Sequence, residues 1–334
     1  MKKFLNAPGN FVDDMLAGIL AAHPDQLRKV GDDQRCVIRA RPGRNKVALV
    51  SGGGSGHLPL FMGYVGQGLL DGCAVGGVFQ SPSAEQWYQT GKAAEAGKGI
   101  LYIYGNYTGD IMNYEMAKEM LDADGIPCAE VRGFDDVASA PKGEEGKRRG
   151  VAGIFFVYKC AGAKAEQGAG FEEVKAVAEK AGSRVRTMGV ALSPCIIPEA
   201  GKPGFTLGED EMEIGMGIHG EPGVRRGKLQ PADAVVDEML APILADQPLA
   251  AGDEVAVLVN GLGATPKEEL YIVYRRLAER LAPTGAKVFK TYVGEFATSM
   301  EMTGFSISIL KLDAELKDLL AQPARTPFFE QSGP

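Results

Sequence analysis

Lys46-Val47-Ala48-Leu49-Val50-Ser51-Gly52-Gly53-Gly54-Ser55-Gly56-His57 is the stretch on which the reading of this chain turns. Five residues of a short, β-rich apolar run lead into seven residues rich in glycine. The pattern predicts a strand, then a tight turn, then a helix. Past the carboxyl end of a parallel strand is where such sheets gather ligand-binding groups. The exposed N–H groups of a glycine-rich turn suit an oxyanion or a sugar hydroxyl. The stretch is not the dinucleotide fingerprint, because the third glycine of G-x-G-x-x-G fails in every frame. G-x-x-x-x-G-K-[ST] occurs nowhere in the chain. A nucleotide site therefore has no support in the sequence, and a nicotinamide-dependent oxidoreductase lacks its signature.

Working outward, Gly72–Phe79 reads as a second strand, and Ser83 is placed to cap a helix carrying Trp87 and Tyr88, which we read as packing residues. Gly99–Tyr104 reads as a third strand, stopped at Gly105-Asn106-Tyr107-Thr108-Gly109-Asp110. The helix after it carries Met112, Met116 and Met120 on one face, read as core. Cys128–Val131 and Val151–Val157 read as further strands. Short apolar strands alternating with helices predict a mostly parallel sheet flanked by helices, an α/β fold. Beyond a helix at 171–181 the character changes. Thr187–Leu192 is followed by a Pro/Gly-rich stretch at 193–208, an acidic segment at Glu209–Glu213 read as solvated, and the glycine-rich Ile214–Gly223. Val255–Asn260, Lys287–Val293 and Ser306–Leu312 read as strands, with a helix at 266–281. A soft boundary near residue 185 divides the 334 residues into 1–185 and 186–334, packed as one unit.

Composition narrows the function. A formal net charge of −7, with no basic run beyond Lys147-Arg148-Arg149 and Arg225-Arg226, argues against nucleic acid as a partner. No apolar stretch approaches a membrane span, and no signal-peptide apolar region forms at the start. Five scattered cysteines without CxxC spacing fit reduced thiols in a cytoplasmic protein. Of three histidines, His57 and His219 both lie in glycine-rich segments, while His23 sits in an ordinary helix-end context. Asp110 follows a strand, a position that suits an N-cap as well as a catalytic base. Two such histidines with an aspartate point to a polar catalytic cleft in an α/β enzyme acting on a small polar molecule.

At these residues the chain resembles the substrate-binding (DhaK-type) subunit of dihydroxyacetone kinases, over nearly its whole length. The resemblance rests on SGGGSGH at 51–57, SPS at 81–83, GNYTGD at 105–110, RTMGVALSPC at 186–195, GKPGFTLGEDEMEIGMGIHGEPG at 201–223, ELYIVYRRLAE at 269–279 and TGFSISILKLD at 303–313. It implies two α/β domains, a homodimer, and a small ketose held covalently. His219 would add a ring nitrogen to the ketone carbon, forming a hemiaminal. Asp110 would act on the terminal hydroxyl that receives the phosphoryl group, and His57 would hydrogen-bond the substrate. Gly54, Ser55, Gly56 and Gly105 would belong to the substrate-binding loops. No cofactor is expected on this chain; ATP or ADP with Mg would sit on a helical, DhaL-type nucleotide-binding partner subunit, since the chain ends soon after its last strand. Gly105 stands where the family commonly has lysine, and Leu60 and Phe61 replace small or polar neighbours of His57. These departures point to a four- or five-carbon ketose as an alternative to dihydroxyacetone. The rival reading is a non-catalytic paralogue that senses a keto-sugar and assists a transcription regulator.

Overall fold

The computed structural model describes residues 2–333. The first half runs α1 (Phe11–Ala22), β1 (Leu27–Val30), β2 (Asp33–Arg39), β3 (Lys46–Ser55), β4 (Gly72–Val78), α2 (Ala84–Ala94), β5 (Gly97–Gly105), α3 (Thr108–Ala123), β6 (Cys128–Gly133), α4 (Ile154–Glu166) and α5 (Phe171–Ser183). Its six strands form one sheet in the order β1-β2-β4-β3-β5-β6. The strands β4, β3, β5 and β6 are parallel, and β2 and then β1 add antiparallel at the β4 edge. Ser83 caps α2 as its spacing predicts: its hydroxyl accepts from the Gln86 N–H while Gln86 reaches back to the Ser83 N–H.

The second half runs β7 (Val185–Ser193), β8 (Glu211–Ile214), β9 (Arg225–Lys228), α6 (Ala232–Asp246), β10 (Glu254–Gly261), α7 (Lys267–Leu281), β11 (Lys287–Gly294), β12 (Thr303–Leu312), α8 (Ala314–Ala321), and the two-residue strands β13 (Ala324–Arg325) and β14 (Glu330–Gln331). Its large sheet is ordered β11-β10-β12-β7-β8-β9. The fold is α/β, with two mixed sheets flanked by helices. This second sheet departs from the mostly parallel expectation, since only β10 and β11 pair in parallel. Strand direction depends on where each connection returns, which apolar runs do not record.

Three further readings are corrected. Val151–Val157 is not a strand: a turn leads into α4, whose residues from Ile154 to Ala163 are buried on every side. An apolar run of this kind fits a buried strand or a buried helix equally; its continuation through Tyr158-Lys159-Cys160-Ala161 favours the longer element. Met112 and Met116 are not core, being 60% and 58% exposed; α3 buries Tyr114, Ala117 and Leu121 instead. Ser51–Ser55 is not a turn. It continues β3, pairing Gly52, Gly53 and Gly54 with Ala74, Val75 and Gly76 of β4. Glycine serves close approach there: a Cβ on Gly52 would lie 2.5 Å from the Trp87 ring, and one on Gly53 2.6 Å from the Phe61 ring. The turn starts at Gly56 (φ +100°) and enters a single 3-10 turn at Phe61–Tyr64, not an α-helix.

The halves share a core. Leu49, Val75 and Leu101 belong to the same apolar cluster as Phe155 and Phe156 of α4 and Leu258, Leu310 and Leu316 of the second half. Phe155 meets Tyr292 and Phe296 edge-on at 5.1 and 5.0 Å between ring centres. Two residues of the basic run, Arg148 and Arg149, are used inside this junction, while Lys147 is exposed. Arg148 forks onto Asp246 at 2.6 and 3.1 Å, and Asp246 also pairs with Arg186. Arg149 bridges Asp136 (2.8 Å) and the Gly215 carbonyl (2.9 Å). No helix among the described residues is long and apolar enough to cross a membrane.

Candidate active site

Three chain segments meet at the carboxyl end of the first sheet. The turn after β3 brings His57, the start of α3 brings Asp110, and the loop after β8 brings His219. The two imidazoles lie 4.7 Å apart, edge to face. His57 is 1% exposed. Its Nδ1 is 2.8 Å from the Thr298 carbonyl, an acceptor only, so Nδ1 carries the proton. Nε2 therefore presents a lone pair, and it is buried with no protein partner. Burial, reinforced by the neighbouring His219, holds His57 down to about 3 and keeps it neutral.

His219 donates Nδ1–H to Glu221 Oε1 at 2.8 Å, while its backbone N–H donates to Glu221 Oε2 at 2.9 Å. Its Nε2 is left free. Burial works to raise the Glu221 carboxyl, but the hydrogen bonds from the His219 ring and backbone outweigh it, leaving Glu221 at about 2. Ring edges and faces enclose the imidazole, with Tyr107 at 4.6 Å and Phe79 at 5.3 Å between centres. The loop is fixed from the first half through the Arg149 bond to Gly215.

Asp110 lies in the first turn of α3 and is no cap; the N-cap residue is Tyr107, without a side-chain bond. Its carboxyl is buried, and Oδ1 has no partner. Burial pushes it up to about 6, against hydrogen bonding from Ser81 and the nearby His219 charge, which pull it down. An aspartate with that pKa can take up a proton near neutral pH, as a general base must.

The remaining candidates divide. Gly54 keeps a partly exposed backbone. The Ser55 hydroxyl is spent on the Gly76 carbonyl at 2.8 Å, and the Gly56 carbonyl accepts from Met300 N–H at 2.7 Å. Gly105 is buried at the end of β5, and a Cβ there would lie 2.7 Å from the Tyr107 ring. The space that lysine would occupy is filled by that ring. Leu60 and Phe61 are core residues, 2% and 4% exposed, and Phe61 meets the His57 ring edge-on. Sequence reasoning gave no role to Phe79, Tyr107, Thr298 or Glu221. Only Glu221 had a local signal, two residues after His219; the others arrive through tertiary packing. Among the described residues no group of three or more His, Cys, Asp or Glu side chains is placed to hold a metal ion.

The Dak1 domain model matches residues 17–328. The chain belongs to the Dak1 family. It is 47% identical over 329 residues, 98% of this chain and 99% of the relative, to the dihydroxyacetone-binding subunit DhaK of PTS-dependent dihydroxyacetone kinase 1 of Listeria innocua. It is 44% identical to the D-erythrulose kinase of Mycolicibacterium smegmatis over 99% of this chain and 57% of that protein. Among solved structures, the dihydroxyacetone kinase of C. freundii in complex with AMP-PNP and Mg2+ superposes with a TM-score of 0.91 at 31% identity, over 99% of this chain and 61% of that one. The dihydroxyacetone kinase operon co-activator DhaQ superposes with a TM-score of 0.87 at 31% identity, over 93% and 96%.

Proposed function

We propose that this Dak1-family chain is the ketose-binding subunit of a keto-sugar kinase, phosphorylating dihydroxyacetone or a four-carbon ketose with a separate nucleotide-binding subunit. The observation that carries the reading is the pair of orphaned buried polar atoms, His57 Nε2 and Asp110 Oδ1, beside an imidazole whose Nδ1 is engaged by Glu221. Buried polar atoms ordinarily find partners, so both await one from a ligand. In the proposed step His219 Nε2 attacks the ketone carbon and an N–C bond forms. The C=O π pair moves to oxygen, which takes up a proton from solvent, while the imidazolium gives up its Nδ1 proton through Glu221 to solvent, so that Glu221 ends as the carboxylate it began as. The product is a neutral hemiaminal. His57 Nε2 accepts from a substrate hydroxyl, and Asp110 accepts the proton of the terminal hydroxyl as the phosphoryl group transfers. Glycerol has no carbonyl and is rejected by chemistry. The tether also makes transfer nearly unimolecular.

Soaking crystals with ketose tests this. A carbonyl carbon within bonding distance of His219 Nε2, lost in His219→Ala, is expected. A ketose bound with that carbon about 3 Å or more away, outside covalent reach, overturns the covalent step. We take the functional unit to be a cytoplasmic homodimer with its domain boundary near residue 185, and light scattering of the purified chain checks the dimer. A second reading, a ketose sensor without turnover, draws on the likeness to the operon co-activator. Absence of phosphorylation with every nucleotide-binding subunit and donor supplied, together with intact adduct formation, would favour it.

A further inference from the structure

Among the described residues three bulky side chains sit on left-handed backbones, Phe61 (φ +65°), Phe79 (φ +57°) and Met300 (φ +54°), and all three lie around the His57 turn. Such conformations are costly for side chains of this size and persist only where the surroundings impose them. Phe61 meets the His57 ring edge-on at 5.9 Å. The Met300 N–H donates to the Gly56 carbonyl, and its side chain packs beside Phe79 over Gly56. Phe79 does more: it stacks on His57 at 4.8 Å and 22° between planes, and meets His219 at 5.3 Å and 74°. It is the aromatic ring that contacts both imidazoles of the candidate site from the β4–α2 connection. An extended backbone at residue 79 would send that ring elsewhere.

We propose that Phe79 is a positioning residue for the phosphotransfer reaction, its left-handed backbone presenting the ring as a wall that orients His57 and excludes water from its Nε2. The inference rests on the proposed role of His57 as an acceptor for a substrate hydroxyl. The stack covers one face of His57, Phe61 lies at another edge, and the Thr298 carbonyl holds Nδ1. The titratable groups that face His57 are His219 and Glu221, both on the loop after β8. The ring is what covers that face of His57, so removing it would open the imidazole to solvent from the β4–α2 side. His57 would then hydrate, and its charged form would become accessible in the weakly acid range. A protonated Nε2 donates where the neutral one accepts, so the hydroxyl contact would be lost.

The test compares Phe79→Gly, which relieves the backbone and deletes the ring, with Phe79→Tyr, which keeps a ring. In Phe79→Gly the His57 titration midpoint, read by NMR of the labelled imidazole, should rise by two pH units or more. Below the new His57 midpoint kcat should fall off more steeply than protonation of Asp110 alone produces, and kcat at pH 7 should fall 10- to 100-fold because the imidazole is no longer held in place. Adduct formation on His219 should persist, and Phe79→Tyr should restore both readouts. A folded Phe79→Gly protein with an unmoved His57 titration and unchanged kcat overturns the inference. A lowered melting temperature with an unmoved titration overturns it equally, because packing alone would then explain the residue. If Phe79→Gly fails to fold, Phe79→Ala, which likewise removes the ring and its cover, must show the same rise or the inference is overturned. Absence of turnover in the wild type would instead defeat the proposed function while leaving the titration to be read on its own.

Discussion

Replacing Asp110 with asparagine should make the protein more stable and nearly inactive. Burial moves the carboxyl from its ordinary 3.8 up to about 6. The folded state therefore binds more protons than the unfolded chain between those values, and its stability falls as pH rises through the window. Above pH 6 the loss is complete. At about 1.36 kcal/mol per pH unit it amounts to ~3 kcal/mol at neutral pH. Asparagine resembles the protonated form and escapes that cost, so Asp110→Asn should gain up to ~3 kcal/mol at pH 7.5. The gain should shrink to about 1.5 kcal/mol at pH 5 and to roughly 0.5 kcal/mol at pH 4, where the native carboxyl is already protonated. Urea unfolding at the three pH values reads this directly, provided the slope is unchanged. The same variant should retain ketose binding while kcat drops by roughly 10²–10⁴-fold. A variant less stable than wild type at pH 7.5, or a difference independent of pH, would refute the reasoning. Equal losses of binding and rate would reduce Asp110 to a positioning group.

Other outcomes follow from neighbouring geometry. Glu221→Gln keeps a hydrogen-bonding group but removes the charge that receives the His219 Nδ1 proton; adduct formation should slow by roughly 10- to 100-fold, measured by stopped-flow mixing with ketose. Lys159 is fully buried, donates to the Leu319 carbonyl at 3.1 Å, and is held by burial down to about 8. The unfolded chain keeps that proton up to about pH 10.4, so stability should rise with pH between about 8 and 10. Lys159→Met should add about 1–3 kcal/mol at pH 7 in chemical denaturation. At Gly105 a lysine must displace the Tyr107 ring from its place against His219. Gly105→Lys should shift the kcat/KM ratio of erythrulose to dihydroxyacetone toward the three-carbon ketose by something like tenfold, the worth of one charge-assisted hydrogen bond, while lowering both values. An unchanged ratio would mark residue 105 as irrelevant to substrate choice.

What the sequence disclosed was what local chemistry controls. The β3 run, the Ser83 capping box and the α7 pattern need only neighbours in the chain, and each lies where its residues place it. His57 and His219 stood out because histidine is rare here, and they do meet. Failures came where a distant element decides. Ile154–Ala163 is apolar enough for strand or helix, and burial on all sides erases the periodicity that separates them. Met112 and Met116 share a helix face, but which face turns inward depends on Trp87 and Tyr104, whose rings pack on Tyr114. Gly52 and Gly53 looked like part of a turn because the rings of Trp87 and Phe61 that need their hydrogens lie 35 and 8 residues further along the chain. Phe79 carries no sign in its own neighbourhood of a left-handed backbone.

The common core under both halves bears on how this protein loses function. Phe155 and Phe156 pack beneath both sheets, while Arg148, Asp246 and Arg186 tie their margins. His57 and Asp110 belong to one half and His219 to the other, so the spacing of the imidazoles is held by that junction. There is no smaller cooperative unit that retains the whole constellation. Catalytic competence and global foldedness should therefore be a single equilibrium: along a urea titration, adduct-forming capacity and far-UV ellipticity should trace one curve with one midpoint.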